Sequence, residues 1–285
     1  MMIRRSPAMA GIFYPENSES LRGSIEKHFK RARIRKMNVI GLVTPHAGYN
    51  YCGDTAAFCY KCIANKFDTF VIIGPNHRGI GTGITTMSGF WETPLGTLQT
   101  DYDFVSELAK DSSIVDDYRP HLREHSVEVQ LPWIQYRFGN VKFVPIIINP
   151  IYFDKQTSQA LGEKIVEVSK RLNRKILVIA SSDFTHYGDL YNNKPFTGTP
   201  KQVLSRIKKN DMGVVRSIEK LLPAKVIDIC DRKRLSLCGY GAIATMLFAA
   251  KSLGAKRGEL LDYSTSYETS KDIEAFVSYC GIAIY

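Results

Sequence analysis

The sequence has 285 residues, 44% of them hydrophobic and 23% charged, with a formal net charge of +10. That balance is ordinary for a globular protein, and a chain of this length can bury a large core. No apolar run reaches the roughly 18 residues that a membrane helix needs, so no membrane partner is expected.

The opening MMIRRSPAMAGIFYPENSES carries Arg4 and Arg5 without an apolar stretch behind them, so it does not read as a secretory signal. The surplus of cations is spread over several helical stretches, at Lys27, Lys30, Arg31, Arg33, Lys201, Arg206, Lys208 and Lys209. No aromatic RNA-binding motif or zinc finger accompanies them. They read as solvated faces, and no specific nucleic-acid partner is expected. Six cysteines stand at 52, 59, 62, 230, 238 and 280. Without a signal sequence they predict a reducing, cytoplasmic setting. Cys59 and Cys62 form a lone C-x-x-C inside a helical stretch, with no second pair at zinc-finger spacing, and read as core thiols.

In chain order, Leu21, Ile25 and Phe29 recur at helical spacing, and this helix carries His28. Residues 38–44 (NVIGLVT) read as a buried strand, 54–65 as a helix and 69–74 (TFVIIG) as a second buried strand. The stretch 82–97, with Trp91, Pro94 and Gly96, reads as a hairpin or a β-excursion. Thr100 and Asp103 have capping-box spacing ahead of Phe104, Val105 and Leu108. Residues 125–138 are helical, interrupted early by Pro132, and 142–148 form a strand. Leu161, Ile165, Val168 and Leu172 make a helical stripe, and 175–180 (KILVIA) is a third buried strand. Helices follow at about 200–209, 211–222 and 240–253, then strands at 260–267 and 275–284. Strands 39–44, 69–74 and 175–180 are near-continuous apolar runs, as in sheets covered on both faces. No linker, repeat or low-complexity segment divides the chain. The expected fold is one α/β domain over 1–285, a three-layer α/β/α arrangement on a parallel or mixed sheet.

The chemistry gathers at the ends of those strands. The first runs into Pro45-His46-Ala47-Gly48-Tyr49, the second into Gly74-Pro75-Asn76-His77, the third into Ser181-Ser182-Asp183-Phe184-Thr185-His186. In open α/β sheets ligands bind outside the carboxyl ends of the strands. His46, His77, Asp183 and His186 are therefore expected to share one metal or catalytic pocket, with Asp183 orienting or tuning an imidazole. Cys238 precedes Gly239-Tyr240-Gly241 at the start of an apolar helix, where a thiol pKa is expected to fall. It reads equally as a ligand or nucleophile and as a small residue packed under a helix. His125 lies between Glu124 and Glu128, either of which can fix its tautomer. It reads as an acid/base or supporting group, or as part of an ordinary helix start. His28 and His121 read as structural. There is no G-x-S-x-G elbow, Walker loop or G-x-G-x-x-G, and the glycine-rich GPNHRGIGTG lacks a phosphate loop's Lys-Ser/Thr ending.

Seven blocks carry a family resemblance: RSPAMAGIFYP at 5–15, TPHAGYNYCG at 44–53, GPNH at 74–77, WETPLG at 91–96, EHSVEVQLPW at 124–133, SSDFTHYG at 181–188 and LCGYGAI at 237–243. Across almost its whole length the chain resembles the Memo family, the archaeal and eukaryotic relatives of the mediator of receptor-driven cell motility. That family is similar in fold to the class III extradiol ring-cleavage dioxygenases, which hold Fe(II) with two histidines and a glutamate. The resemblance implies that His46 and His77 are the paired metal ligands and that Cys238 stands where the dioxygenases have their carboxylate. It also implies that Asp183 and His186 line the pocket, with His186 as acid/base. A thiolate in place of a carboxylate shifts the metal preference, so iron or copper is expected and zinc is allowed. The implied activity is that of a metal-dependent oxidoreductase. The alternative is a non-catalytic module whose pocket binds a peptide or small anionic ligand. Archaeal relatives are often encoded beside a radical enzyme, which points to components of such a pathway as partners.

Overall fold

The computed structural model describes residues 3–81 and 83–285. In chain order the elements are β1 (Ile3–Arg5), α1 (Ser18–Arg31), β2 (Gly41–Thr44), α2 (Tyr49–Cys62), β3 (Thr69–Pro75), β4 (Ile84–Thr86), β5 (Gly89–Thr93), β6 (Gly96–Gln99), α3 (Tyr102–Leu108), β7 (Ile114–Asp116), α4 (Leu131–Phe138), β8 (Lys142–Ile148), α5 (Lys155–Arg171), β9 (Ile176–Ser181), β10 (His186–Gly188), α6 (Pro200–Glu219), α7 (Pro223–Lys233), α8 (Tyr240–Ser252), β11 (Gly258–Thr265), α9 (Tyr267–Ser270) and β12 (Ala275–Ile284).

The main sheet runs β10-β12-β2-β9-β3-β8-β4-β7, with β11 also paired to β12. Its centre is parallel: β2 and β3 both lie parallel to β9, and β3 lies parallel to β8. The strands at either side add antiparallel pairs, β12 on β2 and β4 on β8, so the sheet is mixed. Alternation along these strands builds two separate cores. Val43, Val71, Ile73, Val178 and Ala180 face a core closed by α3, α5, α6, α7 and α8. Leu42, Phe70, Ile72, Leu177 and Ile179 face the other, closed by α1, α2, α4 and the small sheet β1-β5-β6. This is the three-layer arrangement expected from the apolar runs.

Several boundaries fall elsewhere. Helix α2 starts at Tyr49, five residues before the expected 54, because the chain turns into it directly from the loop after β2. The helices expected at 200–209 and 211–222 are one helix, α6, which ends at Glu219 and is closed at its start by a capping box between Thr199 and Gln202. Its polar break at Asn210-Asp211 does not interrupt it, since Asp211 is buried and takes hydroxyl donors from Thr185, Tyr263 and Ser278. Helix α7 was not expected, and it opens with Pro223, whose missing N–H costs nothing in a first turn. Asp101, not Thr100, caps α3, its carboxylate accepting from the Phe104 N–H. Thr100 instead donates to the Gly89 carbonyl. In the 82–97 region Thr82 lies outside the described residues, β4 joins the main sheet, and β5 and β6 form the antiparallel pair.

Candidate metal centre

β9 lies between β2 and β3, so the loops leaving these three parallel strands emerge side by side. They bring His46, His77 and Asp183 together, and Cys238 reaches the same place from the turn before α8. The ligand atoms offered by His46, His77 and Cys238 all lie within 4.8 Å of one another. Cys238 Sγ is 3.1 Å from His46 Nε2. The His46 ring sits edge-on to those of His77 and His125, at 5.1 and 5.2 Å between centroids. His77 and His125 stack at 4.4 Å. Two glycines make this closeness feasible. A Cβ on Gly74 would stand 2.4 Å from Ser126 Oγ, and one on Gly239 would stand 2.7 Å from the Ser181 carbonyl oxygen.

The supporting hydrogen bonds assign the tautomers. Ser181 Oγ donates to the Ser126 carbonyl and accepts from Gln130 Nε2 at 2.8 Å. Its remaining capacity is as an acceptor, so His46 Nδ1, 3.0 Å away, carries the proton. His46 Nε2 is then a bare lone pair facing the thiol. His77 Nδ1 donates to Glu124 Oε1 at 2.9 Å, which leaves its Nε2 free in the same way. His186 Nδ1 lies 2.9 and 3.1 Å from the carbonyls of Ser236 and Phe184, so it too is protonated at Nδ1.

The charges agree. Burial, followed by the neighbouring His77, His125 and His186, lowers the His46 pKa well below its ordinary value. Burial and His77 bring His125 down to about 4. Burial alone would raise Glu124, but the hydrogen bond from His77 and the nearby imidazoles outweigh it and hold the carboxylate at about 2. His46 is thus neutral, and its 3.9 Å approach to Asp183 Oδ2 is not an ion pair. Burial, and then Asp183, pushes the Cys238 thiol well up. The helix-start expectation of a lowered thiol is therefore corrected: desolvation outweighs the helix end.

Asp183 and His125 have the following partners. Asp183 accepts from the His46 backbone N–H at 2.8 Å, so it fixes the His46 turn, while backbone carbonyls hold His186. Burial raises the Asp183 pKa, outweighing the opposing influence of the nearby His186 and of the His46 backbone N–H. Of the two acids beside His125, Glu124 approaches its Nδ1 at 3.2 Å, whereas Glu128 turns away to Arg5. His28 pairs with Asp54, and His121 is buried near Thr85, both outside this cluster. Cys59 and Cys62 are buried in α2, their thiols donating to the carbonyls of Val43 and Cys59. Ser181, Gln130 and Ser236 escaped the sequence reading. The one trace of Ser181 is a polar residue ending an otherwise apolar strand.

Beside the cluster lies a cleft of about 470 Å³, lined by His125, Asp183 and His186 together with Phe13, Tyr51 and Tyr191.

The fold and the site define a three-layer α/β protein in which two histidines that follow central parallel strands meet a cysteine from the turn before α8, a group that could hold a metal ion. Comparison with known proteins gives the family. The family model described as Memo-like protein matches residues 5–283. A MEMO1 family protein of Methanopyrus kandleri is 39% identical, the alignment covering 98% of each chain. One from Methanocaldococcus jannaschii is 37% identical, again over 98% of each. The chain belongs to the Memo family. Among solved structures, an uncharacterized protein from Escherichia coli K12 shares the fold, with a TM-score of 0.54 at 11% identity over 86% of this chain and 99% of that one.

Proposed function

We propose that this chain is a redox-metal protein in which His46, His77 and Cys238 hold iron or copper and the adjoining cleft admits a small-molecule or peptide ligand. The observation that carries the reading is the pair of directed lone pairs. Ser181 and Glu124 hold the Nδ1 protons of His46 and His77, leaving both Nε2 atoms free beside a thiol. Metal-binding histidines are commonly held in this way by a second hydrogen bond. Two imidazoles and a thiolate form a donor set that takes copper, iron or zinc. The choice of a redox metal rests on the resemblance to the class III extradiol dioxygenases. Bound there, the ion supplies Lewis acidity and electron exchange.

The chain's own residues do the rest. Cys238 gives up its proton on binding metal, as thiol ligands must. His186, protonated at Nδ1, offers Nε2 as a base toward a ligand in the cleft it lines. Asp183 holds the His46 turn, and His125 forms part of the wall. Six free cysteines fit the reducing cytoplasm.

Metal content after purification without oxygen, for wild type and for His46→Ala, His77→Ala and Cys238→Ala, tests the proposal. Near-stoichiometric iron or copper, lost in each variant, is expected. No metal in the wild type, and none taken up from offered iron, copper or zinc, would overturn it. One observation favours a non-catalytic ligand module as the second reading. Ile12, Tyr51, Leu190 and Tyr191 are large exposed side chains, and all four line the cleft. Such a module would keep its ligand after chelation, and a metal enzyme would not.

A further inference from the structure

The outer helical layer carries a second cleft, of about 480 Å³, between α5, α7 and α8. Pro223, Ile229 and Phe248 give it an apolar floor, and Lys155, Lys225, Arg232 and Lys251 line it with a single carboxylate, Asp228. The four cations are exposed, and among the described residues none makes an ion pair. Other cations on the same helical layer are treated differently: Lys164 meets Glu167, and Arg171 meets both Glu107 and Glu167. Lys225, Asp228, Ile229 and Arg232 fall at i, i+3, i+4 and i+7 of α7, so they form one face. Leu222 at the rim is one of the exposed large apolar side chains.

We infer that this groove docks an acidic protein segment that carries an apolar anchor side chain. A rise of 1.5 Å per residue puts Lys225 and Arg232 about 10 Å apart along the helix. That is too far for one phosphate and suits carboxylates spaced along a segment. The apolar floor between the cations needs a side chain to cover it, which a purely ionic partner lacks. The groove uses none of the residues of the candidate metal centre.

The probe is a labelled peptide of Asp and Glu with one central Leu, titrated with the full chain by fluorescence anisotropy. Saturable binding that weakens as salt is added is expected. Lys225→Glu with Arg232→Glu should weaken it by about tenfold or more, and Leu222→Ser should weaken it too. Lys27→Glu with Arg33→Glu, equal in charge change but on and beside α1, should not. Replacing the peptide's Leu by Ser should lose affinity for the wild type, a readout that needs no variant of the protein. The inference is overturned by any of four results: no binding, equal loss in the α1 control, equal binding of the Ser peptide, or tighter binding of a single-stranded oligonucleotide that depends on Lys225 and Arg232.

Discussion

Glu128→Gln is expected to cost about 3–5 kcal/mol of stability, the usual cost of breaking a buried ion pair from one side. Glu128 is fully buried and Arg5 is 1% exposed. Both carboxylate oxygens are fully used. Oε2 accepts from Arg5 Nη2 at 2.6 Å and the Ala8 N–H at 2.9 Å. Oε1 accepts from the Met9 N–H at 2.8 Å and the Tyr14 hydroxyl at 2.5 Å. Whichever way a glutamine amide turns, its NH₂ group faces donors. With the NH₂ toward Arg5, the guanidinium keeps only the carbonyls of His121, Glu124 and Ser6 and the face of Trp91; with it toward Met9 and Tyr14, Arg5 faces a neutral carbonyl in place of a carboxylate. For a chain of this size the loss corresponds to about 10 °C in melting temperature. The segment so released includes Phe13, which packs against His125 and whose carbonyl accepts from the Tyr49 N–H, so the lining of the cleft loosens with it. Calorimetry and urea unfolding measure the cost. Arg5→Met alone should cost a similar amount, and the double variant less than the sum. A loss below about 1 kcal/mol for Glu128→Gln would mean that the pair behaves like an exposed one, and the reasoning would fail.

Glu124→Gln should weaken metal affinity by about 10–100-fold without removing a ligand, read by competition with a chromophoric chelator; unchanged affinity would show that Glu124 does not orient His77. Gly239→Ala drives a Cβ onto the Ser181 carbonyl, so it should displace Cys238 and lower both metal content and melting temperature. Burial raises Asp211 to about 6 against its three hydroxyl donors, so the fold favours the protonated acid. That contribution is complete below the ordinary carboxylate value near 3.8 and is lost as pH rises through about 6, up to about 3 kcal/mol by pH 8. Asp211→Asn should flatten this part of the stability profile in urea titrations; an unaltered profile would assign the pH dependence elsewhere.

The layers were legible because alternation and apolar runs are local. Val71 and Ile73 face one core while Phe70 and Ile72 face the other, and a fully apolar strand is what that demands. Where the reading slipped, the deciding contact was distant in sequence. Nothing near Asp211 announces that Thr185, Tyr263 and Ser278 will satisfy it and keep α6 unbroken. Nothing local marks the start of helix α7: Leu222 offers no side-chain cap, and Pro223 occupies the first turn.

The site divides along the same line. The sequence shows which side chains follow each parallel strand, and strand order then forces His46, His77 and Asp183 together. What those side chains can do depends on protons, and the protons are placed by partners that the sequence does not mark. Ser181 presents a lone pair to His46 only because its own hydrogen is taken by Ser126, whose segment follows Glu124 in the chain. That one segment, 124–130, supplies Glu124 to His77, the Ser126 carbonyl and the Gln130 amide to Ser181, and Glu128 to Arg5. Glu124, Ser126, Glu128 and Gln130 are buried and bonded on several sides, which makes the segment costly to alter; the block EHSVEVQLPW stands out in the sequence, but not which groups its side chains hold. It acts as a brace that fixes two tautomers at once, so a substitution there should disturb His46 and His77 jointly, whereas Ser236, which holds His186, can be changed without touching either.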